Sequence, residues 1–280
     1  AGINRISYGV QSFQPAELKL LGRIHTAEEV KTAVELSREA GFANLNLDLI
    51  CGLPGQNIAT WKDTLQQALA LQPEHISLYA LSVEEGTILY KWVHSGEIPE
   101  PDDDLAADMY IMAEETLKAS EFHHYEISNW AAVRNGKVLE CRHNLQYWVN
   151  EPYFGFGAGA HGCMAGYRYS NIADIQKYMN QIKQAERMQF PFSAANDSRI
   201  AIDALTEMNE TMMLGLRLTE EGVSRQRFHE RFGKQMEDVY KSPIEKLIGQ
   251  GLLCLDDQKG ILRLTDRGRL LGNRVFMEFV

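Results

Sequence analysis

Asp48 stands in the run Asp48-Leu49-Ile50-Cys51-Gly52-Leu53-Pro54-Gly55-Gln56, which joins an apolar, strand-like segment to a helical one through a Gly/Pro turn. In parallel α/β architectures ligands sit at the carboxyl ends of strands, where such turns lie. A carboxylate near the end of a buried strand is costly without a partner, and sugar hydroxyls are good partners. Gln11 holds the matching place after the first strand, in Gly9-Val10-Gln11-Ser12-Phe13, and Arg23 follows in Leu21-Gly22-Arg23-Ile24-His25. Taken singly, a tight turn, a loop glutamine and a solvated arginine are the plainer readings. Taken together, an amide, a guanidinium and a carboxylate at the ends of neighbouring strands suit a ligand with a carboxylate and a diol.

A second constellation is Cys141-Arg142-His143-Asn144-Leu145-Gln146-Tyr147-Trp148. Imidazole is a common axial ligand to heme iron, and Tyr147 and Trp148 offer aromatic surface to a porphyrin. From spacing alone, a histidine that satisfies backbone groups beside packed aromatics is the plainer reading. Cys141-x-His143 and His161-x-Cys163 would also make four zinc ligands, although structural zinc sites more often use Cys-x-x-Cys knuckles. Gly157-x-Gly159-x-x-Gly162 fits a dinucleotide fingerprint only formally, because no clear βαβ unit surrounds it, and reads as a close-packed turn. His123-His124 has nothing nearby in sequence to complete a metal site.

The elements that must position these residues begin with a βαβαβ alternation: strand-like 3–10, helical 27–40, strand-like 45–50, helical 58–71 and strand-like 76–81. Thr26 with Glu29 forms a capping box at the first helix, and Gly41 follows its last apolar position. Leu45 to Ile50 carries two polar residues, Asn46 and Asp48, where a strand buried on both faces should be continuously apolar, so one of them is expected to face a ligand. The acidic run Asp102-Asp103-Asp104 is expected to cap a helix over 105–120. Aromatic-rich segments at 125–130 and 144–149 and the glycine-rich run Phe154 to Gly162 read as an extension of the sheet. Helices over 200–216, 225–232 and 242–250, a hairpin of strands 252–255 and 261–264, and a last helix from Asp266 suggest a winged-helix domain.

The 280 residues carry a formal net charge of -10, which disfavours a nucleic-acid partner, and the arginines of the tail are interspersed with glutamates. A packing or lid role suits that tail better than DNA binding. No apolar run approaches the roughly 20 residues of a membrane helix, and membrane contact by the final stretch, Leu270 to Val280, has no support in the pattern. Four widely spaced cysteines suit reduced thiols and a cytoplasmic location. The chain opens on a strand-like segment without a leading Met, and is expected to start inside a domain.

The blocks Gly9 to Phe13, Leu21 to His25, Asp48 to Gln56, Cys141 to Trp148 and Phe154 to Gly162, with the winged-helix tail, together resemble the HemW branch of the oxygen-independent coproporphyrinogen oxidase (HemN-like) family of radical S-adenosylmethionine (radical SAM) proteins. The resemblance covers nearly the whole chain. It implies an α/β fold: the C-terminal part of a partial radical SAM (βα)6 barrel over 1–82, a family-specific sheet extension over 83–195 and a winged-helix-like domain over 196–280. It implies that Gln11 and Asp48 contact the ribose of S-adenosylmethionine, that Arg23 binds its methionyl carboxylate and that the Ala80 backbone meets its adenine. It associates His143, Tyr147 and Trp148 with heme, His143 being the candidate iron ligand. The function implied is a heme chaperone whose partners are heme, S-adenosylmethionine and recipient hemoproteins. The alternative within the family is oxidative decarboxylation of coproporphyrinogen III; a DNA-binding regulator is a distant third reading.

This sequence departs from the family in lacking the Cys-x-x-x-Cys-x-x-Cys spacing that holds a four-iron four-sulfur cluster, along with the first barrel strands and the adenosyl-binding glycines. The cluster is therefore expected only in a longer parent. Without its thiolates the chain is expected to be inactive in radical chemistry, because no electron donor is in place.

Overall fold

The computed structural model describes residues 2–184 and 190–280, which form two compact units, one ending at Cys141 and the other beginning at Arg142. The expected middle segment is thus shared: 83–141 falls with the first unit and 142–195 with the second.

In the first unit, strands β1 (Ile6–Gln11), β2 (Leu45–Cys51) and β3 (His75–Ala80) run parallel, and between them lie helices α1 (Pro15–Leu20), α2 (Ala27–Glu39) and α3 (Ile58–Ala70). Helices α4 (Ile88–His94) and α5 (Asp103–Ala119) follow, then β4 (Phe122–Glu126), β5 (Asn129–Arg134) and the two-residue β6 (Lys137–Val138). The strand order is β1-β2-β3-β5-β4, with β5 antiparallel to β3, so the parallel sheet is extended by an antiparallel hairpin.

The alternation along β2 separates two faces. Leu45, Leu47, Leu49 and Cys51 are wholly buried against the helices, where they join Trp61, Leu65, Met109 and Leu117 in one core. Burying a leucine side chain contributes roughly 1.5–3 kcal/mol, so this strand anchors the unit. Asn46, Asp48 and Ile50 point to the opposite face, which is the reason two polar residues interrupt an apolar strand. The local signals hold here. Thr26 and Glu29 make the reciprocal capping box, Gly41 follows with φ 90°, and the Asp102 side chain accepts the Leu105 N–H at 3.0 Å to start α5.

The second unit begins with helix α6 (Arg142–Trp148), where an aromatic-rich sheet extension was expected. Strands β7 (His161–Met164), β8 (Tyr167–Asn171) and β9 (Asn196–Ala201) form an antiparallel sheet, with α7 (Ile175–Gln184) after β8. Ile200 therefore lies in a strand, and the helix expected from that point, α8 (Ala204–Gly215), starts only after Asp203 caps it through the Thr206 N–H at 2.7 Å. Strand β10 (Val223–Ser224), α9 (Arg225–Phe232), α10 (Met236–Gly249), β11 (Leu253–Asp256) and β12 (Ile261–Leu264) complete the winged-helix topology, with sheet order β10-β12-β11. After helix α11 (Asp266–Leu270), α12 (Gly272–Phe276) buries Val275 and Phe276 and the 3-10 turn Met277–Phe279 buries Phe279, while Met277 and Val280 stay exposed. Among the described residues no helix is long and apolar enough to cross a membrane.

Candidate functional site

The carboxyl ends of β1, β2 and β3 bring three of the four residues expected to contact S-adenosylmethionine to one edge of the first unit's sheet. The β1–β2 ladder slips between Tyr8 and Gln11, so that Gln11 pairs with Leu49, next to Asp48. Gln11 takes a left-handed backbone, φ 66°, which costs a non-glycine residue of order 1–3 kcal/mol and is kept where the surroundings impose it. That turn carries its amide back over Gly9, where a Cβ would stand 2.9 Å from Nε2. Gly9 is bare because the amide lies there. No described residue forms a hydrogen bond with the Gln11 side chain, although the residue is only 8% exposed.

Asp48 receives one hydrogen bond on each oxygen, from Ser7 Oγ to Oδ2 at 3.0 Å and from Asn46 Nδ2 to Oδ1 at 2.7 Å. A carboxylate has about four acceptor directions, so both oxygens keep capacity for further donors. The side chain is partly exposed on the polar face.

Ala80 pairs with Cys51 on β2, and the geometry on its other side depends on where the ladder to β5 stops. Ala132 N–H reaches Glu74 O at 2.9 Å and Leu78 N–H reaches Ser128 O at 2.7 Å, so even-numbered residues of this strand aim their backbone groups toward β5. Leu81 N–H turns the other way, to Cys51 O at 2.9 Å. The β3–β5 pairing ends at Ser77 and Asn129, before Ala80, whose N–H and C=O are therefore directed past the end of the neighbouring strand.

Arg23 is exposed in the loop between α1 and α2 and forms no ion pair with any described residue. Two residues on, His25 Nε2 meets Val10 O at 3.1 Å, which tethers this loop to the end of β1 beside Gln11. A buried carboxylate with no local signal in its surrounding residues braces the adjoining turns: Glu17 Oε2 accepts from Ser12 Oγ at 2.6 Å and from Gln56 Nε2 at 3.0 Å, and Gln56 Oε1 accepts the Leu53 N–H at 3.2 Å. The Leu53-Pro54-Gly55-Gln56 turn is thus locked to the turn after β1.

In the second unit, α6 distributes its three singled-out residues over two faces. His143 and Tyr147, four positions apart, meet edge to face at 4.9 Å, and Tyr147 in turn meets Tyr153 at 4.7 Å. His143 is exposed and its ring nitrogens bond to no described residue. Trp148 turns instead beneath the Arg217 guanidinium, 4.4 Å from its centroid, at the margin of a cleft of about 710 Å³ that Leu218, Val223 and Phe228 also line. The glycine-rich run is a close-packed turn. A Cβ on Gly155 would fall 2.2 Å from His161 O, one on Gly162 would fall 2.2 Å from the Tyr169 ring, and Asn171 Nδ2 ties Gly155 O at 3.0 Å and Gly157 O at 2.9 Å.

The cysteines do not suit an iron–sulfur cluster. Cys51 is wholly buried in β2 with its thiol pushed up to about 12 by burial, and Cys141, Cys163 and Cys254 stand on separate segments. Among the described residues no group of three or more His, Cys, Asp or Glu side chains is arranged to hold a metal ion.

Comparison with known proteins bears on both units. The family model described as the radical SAM superfamily matches residues 1–68, and that of the HemN C-terminal domain matches 202–271. The chain is similar to the heme chaperone HemW of Bacillus subtilis (strain 168), 38% identical over 280 residues that cover 100% of this chain and 70% of the relative. It is similar to that of Lactococcus lactis, 37% identical over 283 residues with the same coverage. The mitochondrial radical S-adenosyl methionine domain-containing protein 1 of Mus musculus is 36% identical over 265 residues, 91% of this chain and 58% of that protein. Among solved structures, the coproporphyrinogen III oxidase HemN of Escherichia coli, described as a radical SAM enzyme, superposes with a TM-score of 0.76 at 20% identity, over 99% of this chain and 64% of that one. That likeness shows the fold: a radical SAM barrel portion followed by the HemN-type C-terminal domain.

Proposed function

The chain belongs to the family of HemW heme chaperones, and from that premise we propose that it takes up heme through His143 and passes it to recipient hemoproteins. The observation that carries the reading is the state of His143: an exposed imidazole bonded to no described residue, set edge-on to Tyr147 on a helix braced by Tyr153. A histidine already bonded into the fold would have to give up a hydrogen bond to take iron. His143 gives up nothing. An exposed ligand also suits a carrier, since a recipient can reach iron that is held at the surface.

S-adenosylmethionine belongs, on this reading, at the carboxyl ends of β1–β3. Gln11 offers an uncommitted amide and Asp48 a carboxylate with open acceptor directions for the ribose, Ala80 an unpaired backbone donor and acceptor for the adenine, and Arg23 a cation without a counter-ion for the methionyl carboxylate. When bound and reduced by one electron, S-adenosylmethionine supplies a radical; this chain's residues bind and orient it.

A spectroscopic titration of the chain with hemin, beside His143→Ala, tests the heme reading. Saturable binding with a ligand-dependent band shift is expected, weakened at least about tenfold and with the shift lost in the variant, since a tenfold change is about 1.4 kcal/mol and a metal–imidazole bond is worth more. An unchanged spectrum and affinity in His143→Ala would remove His143 from the site.

A further inference from the structure

The polar face of the first unit's sheet holds a chain of side chains that continues inward from Asp48. Asn46 Nδ2 donates to Asp48 Oδ1 at 2.7 Å and to Ser7 Oγ at 2.7 Å, and Ser7 Oγ donates to Asp48 Oδ2 at 3.0 Å. Nδ2 also lies 3.0 Å from Ser77 Oγ, so the two hydrogens of the amide face three acceptors, with the two shorter contacts at Asp48 and Ser7. Asn46 Oδ1 lies 2.6 Å from His75 Nδ1 and accepts from Ser77 Oγ at 3.2 Å. His75 Nε2 lies 2.8 Å from the Tyr125 hydroxyl. His75 is wholly buried and Asn46 and Tyr125 nearly so.

The donor directions in this chain are settled by the chemistry of its members. A carboxylate only accepts, so the Asn46 amide must present Nδ2 to Asp48 and Oδ1 to His75. Oδ1 only accepts, so Nδ1 of His75 carries the proton. Burial, with the Arg5 charge adding to it, holds the His75 ring well below the usual imidazole pKa, hence neutral, so Nε2 has no proton and accepts from Tyr125. Every bond from Tyr125 through His75 and Asn46 therefore points its donor toward Asp48.

An amide is nearly symmetric in shape, and turning it over would set its carbonyl oxygen against the Asp48 carboxylate and its NH2 group against the proton on His75 Nδ1, so the carboxylate opposes the flip from one end and the imidazole can oppose it from the other. Ser77 cannot prevent this, because a hydroxyl donates or accepts equally well. His75 can, because its single proton faces the amide oxygen. We propose that His75 is a positioning residue that acts through Asn46 to hold the Asp48 carboxylate in the orientation that accepts hydrogen bonds from the diol of a bound nucleoside. This role rests on the reading that Asp48 faces the ribose of S-adenosylmethionine.

The test uses the intact protein and two unreactive probes, S-adenosylhomocysteine and its 2′,3′-dideoxyribose analogue, with affinities measured by calorimetry. The native protein is expected to favour the diol by about tenfold or more, because the dideoxy sugar cannot donate the charge-assisted hydrogen bonds that the carboxylate accepts. Asp48→Asn should abolish that preference. His75→Leu should cut it at least about threefold while leaving the affinity for the dideoxy analogue unchanged, and His75→Asn, whose amide nitrogen stands where Nδ1 stood, should restore it. If His75→Leu does not fold, Asn46→Leu serves in its place, with the same loss of preference expected. Retention of the full preference in the His75→Leu or Asn46→Leu protein overturns the positioning role while the ribose reading stands. A preference that survives Asp48→Asn, or no binding of either probe by the native protein, sinks the ribose reading and the positioning role with it.

Discussion

Lowering the pH from about 7 to about 5 should destabilise the first unit through His75. In the unfolded chain this imidazole binds a proton near its ordinary pKa of 6.5; in the folded chain burial, and secondarily Arg5, depress that value well below it. The unfolded state therefore holds more protons than the native state once the pH falls under the unfolded value, and stability declines as pH falls, by up to about 1.4 kcal/mol per unit for one proton. Between about pH 7 and about pH 5 the integrated loss has an upper bound of about 2 kcal/mol, reached when the folded imidazole takes up no proton in that range. The assay is a series of urea titrations followed by tryptophan emission, for which wholly buried Trp61 and Trp130 serve as reporters, on the native protein and on His75→Asn. The variant keeps a donor at the Nδ1 position and has nothing to titrate, so its stability should be flatter across this range by the same amount, whatever constant offset the smaller side chain adds. Parallel curves for the two proteins would mean that folded His75 takes up a proton as readily as unfolded, and the donor directions assigned to the whole chain from Tyr125 to Asp48 would be wrong.

Other expectations follow from single contacts. Gly162→Ala drives a Cβ to 2.2 Å from the ring of Tyr169, which is 3% exposed and so has no room to retreat; a loss of about 1–3 kcal/mol or more should appear as a lower melting temperature. Leu47→Ala opens a void in the middle of β2 at a cost of about 2–5 kcal/mol, measurable by the same urea titration. Iodoacetamide at mildly alkaline pH should leave Cys51 unmodified in the folded chain while the partly exposed Cys141 and Cys254 react, because burial has raised the Cys51 thiol to about 12; early labelling of Cys51 in peptide mass spectra would contradict its placement.

What the sequence revealed of the fold depended on how local its causes are. The three parallel strands were legible because near-continuous apolar runs alternate with helical periods, and the helix starts at Thr26 and Asp102 because their capping partners lie three residues away. Helix α6 was missed because seven residues rich in aromatics carry no helical signature of their own; Tyr153 and Arg217, distant in sequence, hold Tyr147 and Trp148 in place. The start of α8 was written in Asp203, but Ile200 and Ala201 extend the apolar pattern backwards, and only pairing with β8 makes them a strand. Helix α10 was expected only from Ser242, whereas it begins at Met236. The structure runs helix on both sides, with Tyr240 at φ -117° and ψ 30° forming the kink, so that the proline falls in the first turn of the second segment, where its missing N–H does little harm.

The candidate sites show the same divide. Asp48 was conspicuous as a polar residue in an apolar strand, and so was Asn46, yet the second of these turned out to be the inner partner of the first. His75 and Tyr125 carried no signal, since their meeting depends on β3 lying beside β2 and on the hairpin of β4 and β5 folding back. Trp148, grouped with Tyr147 by adjacency, faces a different neighbour because consecutive residues on a helix diverge by about 100°.

Strand β3 outruns its antiparallel neighbour, and the residue it leaves uncovered, Ala80, presents main chain rather than side chain. Information written in peptide groups is invisible to alanine scanning, and at this position there is already an alanine to scan. A survey of side chains along this edge would pass over it in silence, and Ala80→Pro, which deletes the amide hydrogen, would be the substitution able to question it.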